Sequence, residues 1–332
     1  MRENDIRPDF LTEKYLYLLN KDIQLFLEQK EKFIEVFCPA CGKNDYEFKF
    51  EKKGFKFVSC NFCETLFVNP RPSFKMLIDF YTNSDSVNFW DDQIFPRSEN
   101  ARRKKIFMPR VLRVLQLCKK YSLDKNSLID VGAGFGTFCE EIEKLNYFEN
   151  VIAVEPSMAL AETCKKKGLT VIEKAIEDID GLKASVITNF ELIEHLFSPR
   201  DFLKSCYNAL AKGGLFILTT PNIKGFDLLL LKEKSNNIMP PNHINYFNIK
   251  SLSILLKSCG FDILEVLTPG ELDAELVRKK VINKEYDISK NPFLKNILID
   301  EWDTLSGSFQ EFLSKNKLSS HLWIVAKKSK AL

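Results

Sequence analysis

Two short cysteine motifs and one glycine-rich turn hold most of the residues whose type and spacing could do chemistry. Cys38-Pro-Ala-Cys41 and Cys60-Asn-Phe-Cys63 form two CxxC pairs separated by eighteen residues. One such pair can wrap two thiolates around an ion, and two pairs complete a tetrahedral shell. The spacer suits a small β-hairpin that brings the pairs together. Four thiolates leave no open coordination position, so the expected ion is a structural zinc (Zn2+) held by Cys38, Cys41, Cys60 and Cys63. The competing uses are a redox pair of cysteines, or a ribbon that packs by hydrophobics without metal. Cys118, Cys139, Cys164, Cys206 and Cys259 lie in helical patterns and read as small core residues.

The glycine turn is Leu128-Ile129-Asp130-Val131-Gly132-Ala133-Gly134-Phe135-Gly136, an apolar strand running into a turn and then a helix from Thr137. Glycines let backbone turn tightly and approach a ligand without a Cβ in the way. The next apolar run, Val151 to Val154, ends in Glu155. An acid at that strand tip is placed to accept hydrogen bonds from the ribose hydroxyls of an adenosine. A dinucleotide fingerprint would carry its third glycine at position 137, where this chain has Thr137. Gly136 comes one residue early, which disfavours NAD.

The chain has three histidines. An imidazole titrates near neutrality, so each is a possible general base. His243 lies in the irregular segment Pro240-Pro241-Asn242-His243-Ile244-Asn245-Tyr246-Phe247, expected to pass over the carboxyl edge of the sheet, where open α/β folds bind ligands. His195 follows the fourth strand and serves either as a base or as a loop-fixing hydrogen-bonder. His321 opens the last strand and reads as structural. Asp273 in a loop is either a substrate contact or a solvated carboxylate. The basic run at residues 102–105 meets a phosphate or forms a solvated helix face.

Positioning these groups requires alternating strands and helices. Apolar runs occur at 127–131, 151–154, 169–172, 185–189, 214–220 and 261–268, mostly separated by helix-length stretches, with a final strand at 321–327. This pattern indicates an α/β fold with a doubly wound, mostly parallel sheet. Before it come an amphipathic helix over 11–37, the cysteine segment and a helical stretch over 73–122. The expected organisation is an N-terminal helix (1–37), a zinc-ribbon module (38–72), a helical linker or lid (73–122) and a catalytic domain (123–332), with 271–315 as a helical insertion on the substrate side.

The ordered runs LIDVGAGFGTF, VIAVEPS and SVITNFELIEHLFSPRDFLKSCYNALAKGGLFILTTPN resemble class I S-adenosylmethionine-dependent methyltransferases, in the branch that includes ubiquinone-biosynthesis and sugar methyltransferases. The resemblance covers residues 125 to 270. It implies a seven-stranded Rossmann-like sheet closed by an antiparallel strand at 321–327, with S-adenosylmethionine as cofactor. It further implies that Asp130, Gly132 and Gly134 line the methionine end and that Glu155 holds the ribose, with Gly136 and Pro156 as further cofactor-binding residues. Ile176 and Glu177 would lie near the adenine, and Phe190 would pack against the cofactor. The stretch 174–177 departs from the family's usual acidic pattern. CPACG…CNFCETLFVNPRPS resembles the zinc-ribbon extension found on some of these enzymes. His243 with Tyr246 and Phe247 is similar to the H-x-x-Y-F element of sugar methyltransferases, whose histidine is the base.

These readings point to O-methylation of a small, nucleotide-linked or carrier-linked metabolite, with a sugar or polysaccharide precursor first. The alternatives are a nucleic-acid-modifying or nucleic-acid-binding protein gripping through its ribbon, a cofactor-binding pseudoenzyme and an NAD-dependent oxidoreductase. Formal charge is +3, from 48 basic and 45 acidic side chains, a balance unlike that of a nucleic-acid binder. No apolar run approaches the roughly 18 residues that span a bilayer. The charged N-terminal sequence lacks the apolar core of a signal peptide, so a cytoplasmic protein with reduced thiols is expected.

Overall fold

The apolar runs beyond residue 126 become strands almost residue for residue. The computed structural model describes residues 2–329; Met1 and residues 330–332, at the outer ends of the expected N-terminal helix and catalytic domain, lie outside them. The strands of the described residues are β1 (Tyr46–Lys52), β2 (Phe55–Cys60), β3 (Leu66–Val68), β4 (Ser127–Val131), β5 (Asn150–Val154), β6 (Thr170–Ile172), β7 (Ala184–Phe190), β8 (Leu210–Pro221), β9 (Asn245–Tyr246), β10 (Phe261–Leu267) and β11 (His321–Lys328). They make a seven-stranded sheet in the order β10-β11-β8-β7-β4-β5-β6 and a four-stranded sheet in the order β1-β2-β3-β9.

The chain divides into two compact units. The sheet unit takes Glu99–Thr219, Ser253–Glu265 and the chain from Ile324 onward. The ribbon unit takes the chain up to Ser98, then Thr220–Leu252 and Val266–Trp323. The expected doubly wound architecture is found in the sheet unit. Leu128 pairs in parallel with Val151 of β5 and Val186 of β7. The chain therefore winds from β4 out through β5 and β6, then returns to the other flank of β4 with β7. That reversal places a topological switch point between β4 and β7, where open α/β sheets bind ligands. All five residues of β4 are buried, as a strand covered on both faces requires.

In the ribbon unit, β1 and β2 form a hairpin that closes at Lys52 and Phe55. Its two-residue turn, Lys53-Gly54, has φ values of 51° and 81°. Positive φ at both positions is what a type I′ turn demands, and glycine supplies the second at no steric cost. The first long helix covers Asp9–Leu27 and ends ten residues before the end of the helix expected over 11–37. The charged run at 28–32 carries no buried side chain beyond it, and Ile34 instead exchanges backbone hydrogen bonds with Arg71 in both directions, at 2.8 and 3.0 Å. Phe26 packs edge-on to Phe80 at 5.5 Å and is tilted against Phe55 at 6.4 Å, which fixes the helix beside the hairpin. Residues 271–315 are helical as expected, in Asp273–Ile282, Pro292–Lys295 and Trp302–Lys315. Their core gathers Val277, Leu298 and Leu231.

Candidate functional site

Within the sheet unit, the glycine turn leaves β4 with three left-handed residues, Gly132, Gly134 and Gly136, at φ 73°, 56° and 68°. The three serve different ends. A Cβ at Gly132 would come within 2.7 Å of Leu192, and one at Gly136 within 2.6 Å of Leu169 and 2.8 Å of the Cys164 sulfur. At Gly134 nothing lies within 4 Å of that position. Two glycines therefore admit protein packing, and the middle one borders open space of the kind a ligand needs. Gly132 and Ala133 donate their N–H groups to the Val154 carbonyl, which ties the turn to the end of β5.

Glu155 stands at that end, buried at 6% exposure. Its carboxylate accepts from the Gly134 N–H at 2.8 Å and the Ser157 N–H at 2.9 Å. Burial pushes the carboxyl above its usual range, against these two hydrogen bonds. A carboxylate has about four acceptor positions, so roughly two remain for ribose hydroxyls. Gly134 and Glu155, expected on one ligand, are in direct contact.

Other expected residues are distributed differently. Asp130 is buried and accepts from the Thr188 hydroxyl at 2.6 Å; burial pushes its carboxyl up to about 7. It supports the turn from within the sheet. Pro156 and Glu177 are exposed, and Ile176 is buried at the start of a short 3-10 turn. Phe190, at the end of β7, packs edge-on to Phe138 with centroids 4.8 Å apart.

Arg110 was not anticipated. Its guanidinium lies 4.7 Å over the Phe190 ring and 3.4 Å from Glu191, which also accepts from the Thr219 hydroxyl at 2.6 Å. Glu191 itself holds a left-handed φ of 53°. Such strain in a non-glycine residue marks a loop over-determined by its surroundings. A fixed cation thus sits beside the switch point, with Asp130, Glu191 and Glu194 acting on its charge. Arg103, from the basic run at 102–105, is no solvated side chain. It pairs with Glu99 at 3.0 Å and Glu140 at 2.8 Å, and also with Glu141. Glu99 in turn accepts from Thr137, next to the glycine turn, at 3.1 Å. His195 lies 3.8 Å from the buried Glu194, and its N–H closes the turn onto Leu192.

Within the ribbon unit, the two cysteine turns repeat one backbone pattern. Gly42 donates to the Cys38 carbonyl while Cys38 donates to Lys43; Glu64 donates to Cys60 while Cys60 donates to Thr65. The matching residues Gly42 and Glu64 are both left-handed, at φ 76° and 59°. This geometry brings the four sulfurs within 4.8 Å of one another, with Cys38 and Cys63 at 3.4 Å and Cys41 and Cys60 at 3.5 Å. A tetrahedral ion with sulfur bonds of about 2.3 Å would space them about 3.8 Å apart, so the four residues fit a four-coordinate zinc. The other five cysteines are buried, as expected.

His243 belongs to the ribbon unit as well. Its Nδ1 lies 3.2 Å from the Asn237 carbonyl. A carbonyl only accepts, so Nδ1 carries the proton of the neutral ring and Nε2 is the ring's acceptor. The ring stands edge-on to Tyr246 at 5.9 Å. The turn before it is held by Tyr81 donating to the Asn242 carbonyl and by the Asn242 amide donating to Tyr15, each at 2.9 Å. Asp273 is a correction: it is buried, accepting from Ser319 and Gln310 at 2.7 Å and from the Ser320 N–H at 2.5 Å. It ties the start of the helical insertion to Ser319 and Ser320 and is no solvated loop carboxylate. Among the described residues, no helix is long and apolar enough to cross a membrane.

A doubly wound sheet with a glycine turn and a strand-tip acid at its switch point defines a nucleoside-binding α/β class. Residues 100–266 match the family of the methyltransferase domain, half of the chain, and the chain belongs to that family. The mitochondrial ubiquinone biosynthesis O-methyltransferase of Saccharomyces cerevisiae is 30% identical over 195 residues, 52% of this chain and 61% of that protein. The chain thus spans less than two thirds of the yeast relative's length. The ubiquinone biosynthesis O-methyltransferase of Bradyrhizobium diazoefficiens is 29% identical over 240 residues, 67% of this chain and 84% of that protein. A solved S-adenosylmethionine-dependent methyltransferase from Clostridium acetobutylicum superposes with a TM-score of 0.47 at 12% identity, over 71% of this chain and 99% of that one, a likeness too slight to bear on function.

Proposed function

We propose that this chain is an S-adenosylmethionine-dependent methyltransferase that methylates an oxygen of a small or carrier-linked metabolite, a sugar or polysaccharide precursor being the first acceptor class. The observation that carries the reading is the contact of Glu155 with the Gly134 N–H, beside open space, in a chain of the methyltransferase family. Bound S-adenosylmethionine would supply a methyl group on a sulfonium, ready for in-line displacement. Glu155 would hold the ribose through its remaining lone pairs, with Pro156 beside it. Gly134 would face the methionine end, with Gly132 and Gly136 shaping the turn around it and Asp130 backing it. Ile176 and Glu177 would border the adenine, and Phe190 would pack on the cofactor with Arg110 behind it.

His243 would take the proton of the acceptor hydroxyl at Nε2, since Nδ1 is committed to Asn237. His195, beside Glu194, would fix its loop or serve as a second base. Cys38, Cys41, Cys60 and Cys63 would hold structural zinc. The near-balance of charge supports a small acceptor over a nucleic acid, and nine free thiols suit a reducing, cytoplasmic setting.

The curated relatives support a second reading, in which the acceptor is a phenolic quinone precursor. A methyl-transfer assay over both acceptor panels, sugar nucleotides and hydroxylated aromatics, separates the two. With the true acceptor, His243→Gln should lower kcat about 100- to 10,000-fold, the usual share of general-base catalysis, and leave cofactor affinity unchanged. Full activity in that variant removes His243 from the chemistry, and activity on the aromatic panel alone removes the sugar.

A further inference from the structure

The second cysteine turn is wired to the segment that carries His243, and the wiring passes through one side chain. Asn248 is buried at 4% exposure. Its amide nitrogen donates to both the Cys63 and the Glu64 carbonyls, each at 3.0 Å. Its amide oxygen accepts from the Ser251 N–H at 2.9 Å, capping the helix Ile249–Ser258. Two residues on, the Lys250 ammonium donates to the Phe62 carbonyl at 2.6 Å. The carbonyls of residues 62, 63 and 64 are thus all answered by residues 248 and 250.

The stretch between His243 and Asn248 is extended and buried. Ile244, Asn245, Tyr246 and Phe247 are each at 0% exposure. It pairs with β3 through only Leu66 with Tyr246 and Phe67 with Asn245, joined by the Val68 N–H donating to the Ile244 carbonyl. Arg71, fully buried, donates to the Asn245 side chain at 3.1 Å and to the Val68 carbonyl at 3.3 Å. A ladder of two residue pairs is too short to hold a strand alone, so its register also depends on what holds its end, the bridge of Phe247 to Asn222 and the Asn248 fork. Tyr246, placed by that register, meets the His243 ring, and its hydroxyl donates to the same Asn237 carbonyl at 3.2 Å.

We propose that Asn248 is a positioning residue through which the four-cysteine centre sets the place of His243. An ion bound by Cys60 and Cys63 stiffens the turn between them and so fixes the direction of the Cys63 and Glu64 carbonyls. The Asn248 amide holds those two carbonyls in one fork, and β9 carries the constraint five residues back to the imidazole. The ribbon in this sense takes part in placing the imidazole. The inference rests on the reading of His243 as the base.

The test uses the full chain in three forms: zinc-loaded, chelator-treated and zinc-loaded Asn248→Ser. Serine still caps a helix but has no amide to bridge the two carbonyls, so the variant separates the cap from the link. Amide hydrogen exchange over residues 243–248 should quicken about tenfold or more in both altered forms, from the loss of two buried hydrogen bonds. Asn248→Ser should keep one zinc per chain and an unchanged S-adenosylmethionine affinity, while its kcat falls about tenfold or more. Unchanged exchange over 243–248 in Asn248→Ser, or in chelated protein whose cysteine turns have opened, overturns the proposal. An active His243→Gln overturns the base assignment alone, because the exchange measurement does not depend on catalysis.

Discussion

At the scale of single residues, the glycine turn separates into two positions closed by packing and one that borders open space. Gly136→Ala would place a Cβ 2.6 Å from Leu169 at a φ of 68°. It should lower stability by about 2–5 kcal/mol, from backbone strain and overpacking together. Gly134→Ala meets no protein atom and should lose only the strain of about 1–2 kcal/mol, yet weaken S-adenosylmethionine binding far more than Gly136→Ala does per unit of stability lost. Melting curves and titrations of the two variants check this, and equal effects on affinity would remove Gly134 from the cofactor surface. The glycines, Glu155 and the four cysteines were legible in the sequence because their chemistry is local: a turn, a strand tip, a CxxC. Arg110 was not legible, because a basic residue in a helix reads as solvated. Its register with Val114, Leu117 and Cys118, all buried, is the sign that was there to use, a cation on an apolar stripe.

At the scale of elements, one buried carboxylate makes the stability of the ribbon unit depend on pH. Asp227, near the start of the helix Phe226–Leu231, is wholly buried. Its Oδ2 accepts from Asn237 at 3.1 Å, and its Oδ1 has no hydrogen-bond partner among the described residues. Burial, and then the charge of Asp273, push its carboxyl up to about 7. An unfolded aspartate titrates near 3.9. Between those values the folded state binds the extra proton, so stability falls as pH rises from about 4 to 7 and the full loss is present above 7. Asp227→Asn removes that term. It should raise the melting temperature at pH 8, with the gain shrinking to nothing near pH 4. A gain independent of pH would contradict the assignment. The strands of the seven-stranded sheet were legible as apolar runs because buried parallel strands are continuous in sequence. The pairing of β9 with β3 was not, because Tyr246 and Leu66 lie far apart in the chain and two-residue strands have no periodicity. The first helix was read too long because its apolar spacing persists to Phe37, while the backbone bonds of Ile34 go to Arg71.

At the scale of the whole molecule, the chain falls into two compact units, each of which it enters more than once. The glycine turn and Glu155 lie within the sheet unit. The cysteine centre, the His243 segment and the helical insertion are built within the ribbon unit. A methyltransferase domain match over residues 100–266 runs across that division, so both units contribute residues to the family core. The proposed function assigns cofactor binding to residues of the sheet unit and the base to a residue of the ribbon unit. It stands or falls with the cofactor. Calorimetric titration of the purified chain with S-adenosylmethionine and with NAD, repeated on Glu155→Ala, tests it most directly. The account predicts micromolar binding of S-adenosylmethionine alone, weakened about 10- to 100-fold in the variant, as expected when hydrogen bonds to a carboxylate are removed. Binding of NAD in its place, or an affinity for S-adenosylmethionine indifferent to Glu155, would contradict it.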